Sequence, residues 1–381
     1  MDKSLNLPSI EAKLEELGLN QSKLAEQVGL SRAAISKWMK GTAFPRPPEL
    51  LKLGRVLGLM PGELVIKPIS VHEPLVAFRK KGASKTTEDH IQRAREMGEV
   101  LRPLIPYLGF DEFFAPPSLK RPSSDYEYIQ DVALKIRREL DVEEDERIEF
   151  EDLIKKFHEY QAVIIPTMRG SVKNHENALH IHLPDSMTTW IYLNLDSEIH
   201  DFKFWMAHEF GHILSVDLLR DGKSEEAEDF GDSFAGALLF PRPAAEEYAP
   251  RYRRAKTDAS RIKILMDAAK EFVISPLSVY KELEKLSEYQ KWAFTEVEPT
   301  SLFPAISKFN KRYKTVSEML FDGDKPTPNQ FMRVAQETFG TEIYKALGKY
   351  LKSESGSVGH VSKILGIRLV DAKAIYAALV K

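Results

Sequence analysis

The sequence predicts a multidomain, mainly α protein that carries one small sheet. Three observations lead there. Residues 8–66 break into short stretches of helical periodicity with capping residues and glycine turns. β-Branched and aromatic residues concentrate in "QAVIIP", "ALHIHLP" and "TTWIYLNLD", between residues 161 and 196. From residue 224 to the end the pattern is mostly helical. The expected architecture is an all-α N-terminal bundle, a central α+β domain with a small sheet, and a helical C-terminal region. A length of 381 residues suits two or three domains, each burying a core of its own.

In the first segment, "LNQSKLAEQVGLSRAAISKWMKG", Asn20 is placed to cap a helix over 21–28 whose inner face holds Leu24, Ala25 and Val28. Gly29 permits a tight turn. Ser31 then caps a second helix over 32–40 with Ile35 and Trp38 inside, and Gly41 stands where a left-handed residue ends it. Two short helices joined by a glycine turn form the helix-turn-helix plan. The outer face of the second helix carries Arg32, Ala33, Ser36, Lys37 and Lys40. Residues 20–55 hold seven Lys or Arg against two Asp or Glu, the excess a phosphate-facing surface requires. Residues 8–66 resemble the helix-turn-helix of Cro/CI-type (XRE family) phage repressors. The resemblance implies binding to a double-stranded DNA operator, as a homodimer on a two-fold site. It places Gln21 among phosphate contacts and makes Arg32, Ala33, Ser36 and Lys37 the expected base readers, with Lys40 on the backbone.

Residues 67–124 end in the proline-rich "FFAPPSLKRPSSD" and are expected to be a linker. "SDYEYIQDVALKIRRELD" reads as a capped amphipathic helix, the acidic run "DVEEDER" as a solvated turn, and "IEFEDLIKKFHEY" as a further helix. The three strands follow. His180 and His182 alternate on the middle one, where partial exposure on an edge strand is the plain expectation. His158, His175 and His200 have no partner at a useful spacing.

"FWMAHEFGHILS" places His208 and His212 four residues apart. On a helix these share one face and can hold one ion, with Glu209 beside them as a base for water. A third ligand is expected from "SEEAEDFGDSFAGALLFP", where Glu228, Asp232, Ala235 and Leu239 form one helical stripe. Glu228 can bind the ion, and Asp232 can accept the second ring N–H of a ligating histidine. Glu225 with Asp229 offers the same offset as a rival. Gly231 and Gly236, costly inside a helix, point to close helix packing.

Together, "TTWIYLNLD", "AHEFGHIL" and "EDFGDSFAGALLFP" resemble the ImmA/IrrE family of zinc metallopeptidases, over about residues 125–250. The resemblance implies a gluzincin-like fold, Zn²⁺ held by His208, His212 and Glu228, Glu209 as the catalytic base, and Asp232 behind a ligand. Its register selects Glu228 over Glu225. Phe230, Gly231 and Trp205 depart from the residue types frequent in the family. The implied substrate is a specific partner protein such as a repressor, antitoxin or toxin. The strand around Trp190–Asn194 is the expected site for main-chain pairing with a peptide. The competing reading is a non-catalytic repressor or antitoxin whose metal-bound domain senses a signal or docks a partner.

Residues 251–381 carry no catalytic pattern. "SVGHVSKILGIRLVDAKAIYAALVK" contains the parts of a second helix-turn-helix-like unit, although a plain packing bundle is the simpler expectation. The chain has no cysteine, which excludes disulfides, thiol nucleophiles and thiolate zinc sites. Its charge balance is −3, no apolar run approaches the roughly 18 residues of a membrane helix, and the charged start does not suit a secretory signal. The expected location is the cytoplasm, away from membranes.

Overall fold

The structure, a computed structural model, describes residues 4–40, 42–60, 64–66, 73–77, 88–110, 114, 117–168, 178–323, 325–354 and 356–380. Gly41 and His175 lie outside the described residues. The chain divides into two compact units, Met1–Val71 and His72–Lys381.

The first unit holds α1 (Leu7–Glu16), α2 (Gln21–Val28), α3 (Arg32–Met39) and α4 (Pro47–Leu57). The caps form as the sequence requires. Asn20 Oδ1 accepts from the amides of Ser22 and Lys23 at 3.1 and 3.0 Å, and Ser31 Oγ accepts from the amide of Ala34 at 3.2 Å. Gly29 turns the chain at φ 76°, in the left-handed region open to glycine. Leu24, Ala25, Val28, Ile35 and Trp38 enter one core with Ile10, Leu53 and Leu57. A feature absent from the sequence expectation closes this unit: β1 (Ser4–Leu5) pairs antiparallel with β2 (Val65–Ile66). Two-residue strands are too short to show alternation.

In the second unit a four-stranded mixed sheet runs in the order β3 (Leu75–Ala77), β5 (Ala178–Leu183), β6 (Thr188–Asn194), β4 (Ala162–Thr167). β6 pairs antiparallel with β5 and parallel with β4, and β3 pairs antiparallel with β5. This corrects two expectations. β5 is an inner strand, so His180 and His182 are buried, at 0% and 3% exposure. β6 is inner as well, with a hydrogen-bonded neighbour on each side, so Trp190–Asn194 has no free edge for a peptide. The region expected to be a linker also behaves differently. β3 joins the sheet, and α5 (Glu88–Leu101) with a 3₁₀ turn (Arg102–Tyr107) packs within this unit, α5 against β3 and β5.

The remaining helices are α6 (Tyr126–Glu139), α7 (Phe150–Glu159), α8 (Ile199–Leu214), α9 (Val216–Arg220), α10 (Ser224–Leu239), α11 (Arg242–Arg254), α12 (Asp258–Phe272), α13 (Pro276–Tyr289), α14 (Pro299–Asn310), α15 (Val316–Leu320), α16 (Pro328–Phe339), α17 (Ile343–Ser353), α18 (Val358–Leu365) and α19 (Leu369–Leu379). α8 is buried on nearly all sides, between the sheet and α10, which accounts for the apolar residues on all its faces. Among the described residues no helix is long and apolar enough to cross a membrane.

α18 and α19 repeat the corner made by α2 and α3. Gly366 stands where Gly29 does, at φ 61°, and each second helix begins three residues after its glycine. Leu30 donates its amide to the Ala25 carbonyl at 2.8 Å, and Ile367 donates its amide to the Ser362 carbonyl at 3.1 Å. Val361, Leu365, Ala372 and Ile375 take the buried places of Leu24, Val28, Ile35 and Trp38. The outer faces differ. Leu369, Val370, Lys373, Ala374 and Ala377 replace Arg32, Ala33, Ser36, Lys37 and Lys40.

One buried cation ties α6 to α10. Arg137 is fully buried and donates from Nη1 to the Leu238 carbonyl at 2.7 Å and from Nη2 to the Glu143 carbonyl at 2.6 Å, with the Glu146 carbonyl as a further acceptor. The acidic turn is therefore solvated by its side chains but anchored by its backbone. Arg137→Met would leave these carbonyls without their donor, and each unpaired buried group costs about 1–3 kcal/mol. Denaturant melts should show a loss of roughly 3–5 kcal/mol relative to the parent chain.

Candidate metal centre and DNA-facing helix

The candidate metal centre lies on the seam between α8 and α10. Its spacing depends on two glycines facing each other. A Cβ on Gly211 would lie 3.0 Å from the Cα of Gly231, and a Cβ on Gly231 would lie 3.0–3.3 Å from three atoms of the His208 ring. The ring of His208 thus lies against bare backbone. Gly231, noted in the sequence as a departure, is a site residue, and its cost inside a helix was the signal for it.

Across this seam His208, His212 and Glu228 converge, with one ligand atom from each lying within 4.8 Å of the others. The two Nε2 atoms are 3.0 Å apart, and the Glu228 oxygens lie 3.4 Å from each. Behind the centre Asp232 Oδ1 stands 3.0 Å from His208 Nδ1. Glu209 is buried beside them. Glu225 and Asp229, the rival pair, are exposed. Burial opposes charge on both imidazoles. At His208 the bonds to Asp232 and Glu228 and the charge of Glu209 outweigh burial, raising its pKa to about 10. His212 is pushed well below the ordinary histidine range by burial, then by His208 and His180. Two imidazoles and a carboxylate that converge in one buried place can hold a cation, and the donor set of two nitrogens and one oxygen fits Zn²⁺.

His180 sits behind this group, its ring centroid 5.8 Å from that of His212, and burial lowers its pKa to about 3. The sequence pattern missed this neighbour because its strand was expected at an edge. His182 bonds Thr189 Oγ1 at 3.0 Å, and His158 bonds the Phe339 carbonyl at 2.8 Å; both are packing histidines.

In the first unit Arg32, Ala33, Lys37 and Lys40 are exposed along one side of α3, Ser36 is half-buried between them, and Gln21 opens α2, half-buried. This is the surface a helix presents to a groove.

Residues 161–284 match the family model described as IrrE N-terminal-like domain, a peptidase family, and residues 10–64 match the helix-turn-helix model. The two matches lie in different units of the chain, the helix-turn-helix match in the first and the IrrE-like match in the second. No curated protein and no solved structure matches it. The helix-turn-helix match supports DNA binding, and the IrrE-like match supports a peptidase-like domain. The IrrE-like match runs from β4 into α13 and so encloses the sheet's inner strands and the α8–α10 seam.

Elemental analysis of the purified chain should find one zinc, lost in His208→Ala and Glu228→Ala. Asp232→Ala should weaken zinc binding about 10–100-fold. Against burial, the bonds to Asp232 and Glu228 raise the pKa of His208, so zinc arriving at this imidazole would compete with a proton. Calorimetry in buffers of different ionisation enthalpy should show about one proton released per zinc at pH 7, and fewer once the pH passes 10.

Proposed function

We propose that the chain is a DNA-binding regulator whose second unit is a zinc-dependent peptidase cutting a specific partner protein, such as a repressor or antitoxin. The observation that carries this reading is the convergence of His208, His212 and Glu228 with Glu209 and Asp232 around one seam. A solely structural zinc has no need of an adjacent buried carboxylate outside the ligand set, whereas hydrolysis needs a base there.

His208, His212 and Glu228 would hold the ion, which when bound supplies Lewis-acid polarisation of the scissile carbonyl and acidifies water. Asp232 would accept a hydrogen bond from His208 Nδ1–H, which leaves Nε2 free to bind the ion. Glu209 accepts the proton of the attacking water and returns it to the leaving amine. The burial of both histidines and of Glu209 keeps bulk water from competing for these protons. The exposed cations of α3 support operator binding, with the partner repressor or antitoxin as the second macromolecule engaged.

Glu209→Gln should keep the zinc and the fold and lower cleavage of the partner by a factor on the order of 10²–10⁴. Co-expression with the product of the adjacent gene, followed by intact-mass analysis, reads this directly. If wild type and Glu209→Gln leave the partner equally whole while both repress one promoter, the non-catalytic reading takes its place. For DNA, Lys40→Ala should weaken operator binding evenly across sequences and reduce the salt slope by about 1, whereas Arg32→Ala should relax preference at one base pair.

A further inference from the structure

A cavity of about 500 Å³ opens between α8, α10, α13 and the end of α14. It lies within the roughly 300–1,000 Å³ of ligand pockets. Asp232 forms part of its wall, so the cavity begins one side chain away from His208. From there it follows the α8–α10 seam past Phe204 and His200 to Gly236 and Glu282.

Glu282 is 2% exposed. Its Oε1 accepts from Lys285 Nζ at 2.9 Å, while Oε2 is buried with no hydrogen-bond donor among the described residues. Gly236 makes room for this carboxylate, since a Cβ there would overlap Oε1. Two more buried polar atoms on the same wall have no partner among the described residues: Asn310 Oδ1, whose Nδ2 donates to Ser275 Oγ at 3.2 Å, and His200 Nδ1. An acceptor left unpaired in a buried place is costly, and the two oxygens, Glu282 Oε2 and Asn310 Oδ1, ask for donors from outside the chain. The charge on the wall has the same sense. Asp201, Asp229, Asp232 and Glu282 face two ammonium groups, Lys281 and Lys285, and Lys285 is already engaged by Oε1.

We propose that this cavity is a subsite for a basic side chain, Arg or Lys, of the peptide brought to the metal centre, and that Glu282 determines this specificity through its Oε2. The word peptide rests on the peptidase reading above; the affinity for a cationic, donor-rich group does not. A guanidinium supplies several N–H donors in one plane, enough to meet Oε2 and a neighbouring acceptor together. Burial raises the pKa of Glu282, chiefly against the pull of Lys285, and an arriving cation would oppose that rise.

The test separates binding from turnover. Acetyl-arginine methylamide and acetyl-citrulline methylamide, alike in shape and different in charge, are titrated into the full chain carrying Glu209→Gln, with NMR shift changes as the readout. The arginine probe should bind at least about tenfold tighter, the scale of one charge-assisted hydrogen bond. Adding Glu282→Gln should bring the two probes to parity, and Gly236→Ala, which displaces the carboxylate, should do the same in a chain whose melting curve stays cooperative. Equal affinity for the two probes in the parent chain would mean that the cavity holds water only and would overturn the proposal, as would a preference that survives Glu282→Gln. Cleavage of a partner at bonds with no nearby basic residue would overturn it while leaving the peptidase reading intact. A Glu282-dependent preference in a chain that cuts nothing would sustain it while the peptidase reading falls.

Discussion

The second unit depends on how closely two helices approach. Where Gly211 meets Gly231, α8 and α10 touch backbone to backbone, and neither position can take a side chain without displacing the other helix or the ring of His208. That distance decides whether the histidines of one helix and the carboxylates of the other form a single group. Glycine costs about 1 kcal/mol against alanine inside a helix, so the seam trades local helix stability for a fixed separation. The apolar flanks hold it shut: Phe210 meets Phe234 on α10 and Phe157 on α7, at centroid distances of 6.1 and 5.8 Å.

The sheet constrains the same centre from the other side. α8 packs on β5 and β6, both inner strands, and His180 projects from β5 against His212. A polar ring fully buried behind a polar site is affordable only where burial keeps it neutral, as it does here. With β6 hydrogen-bonded on both sides, main-chain pairing with a further chain is not available at that strand.

Much of the centre was legible in the sequence because helices repeat. Two histidines four residues apart, and two carboxylates four residues apart, can each meet one partner only from a single helical face, and the structure brings these four together. The caps of α2 and α3 were legible for a similar reason, since Asn20 and Ser31 act within three residues of themselves. What local pattern did not reveal was long-range pairing. β3 lies about a hundred residues from its partner β5, and its three residues give no alternation to read, so the edge of the sheet was misplaced and His180 and His182 with it. Arg137 shows the same limit, because its acceptors include Leu238, 101 residues away. Glu282 stands beside Gly236 only once α13 has docked on α10.

The repeated corner of α18 and α19 bears on how such motifs should be counted. Its glycine, its buried quartet and its cross-turn hydrogen bond are shared with α2 and α3, so the corner is a way of folding two short helices and is silent about what they touch. Architecture is written on the inner positions, and occupation on the outer ones. Leu369 and Val370 stand exposed where Arg32 and Ala33 stand in the first corner. A fold of this kind can therefore be inherited intact while its trade changes, through replacements at a handful of surface sites that leave the core untouched.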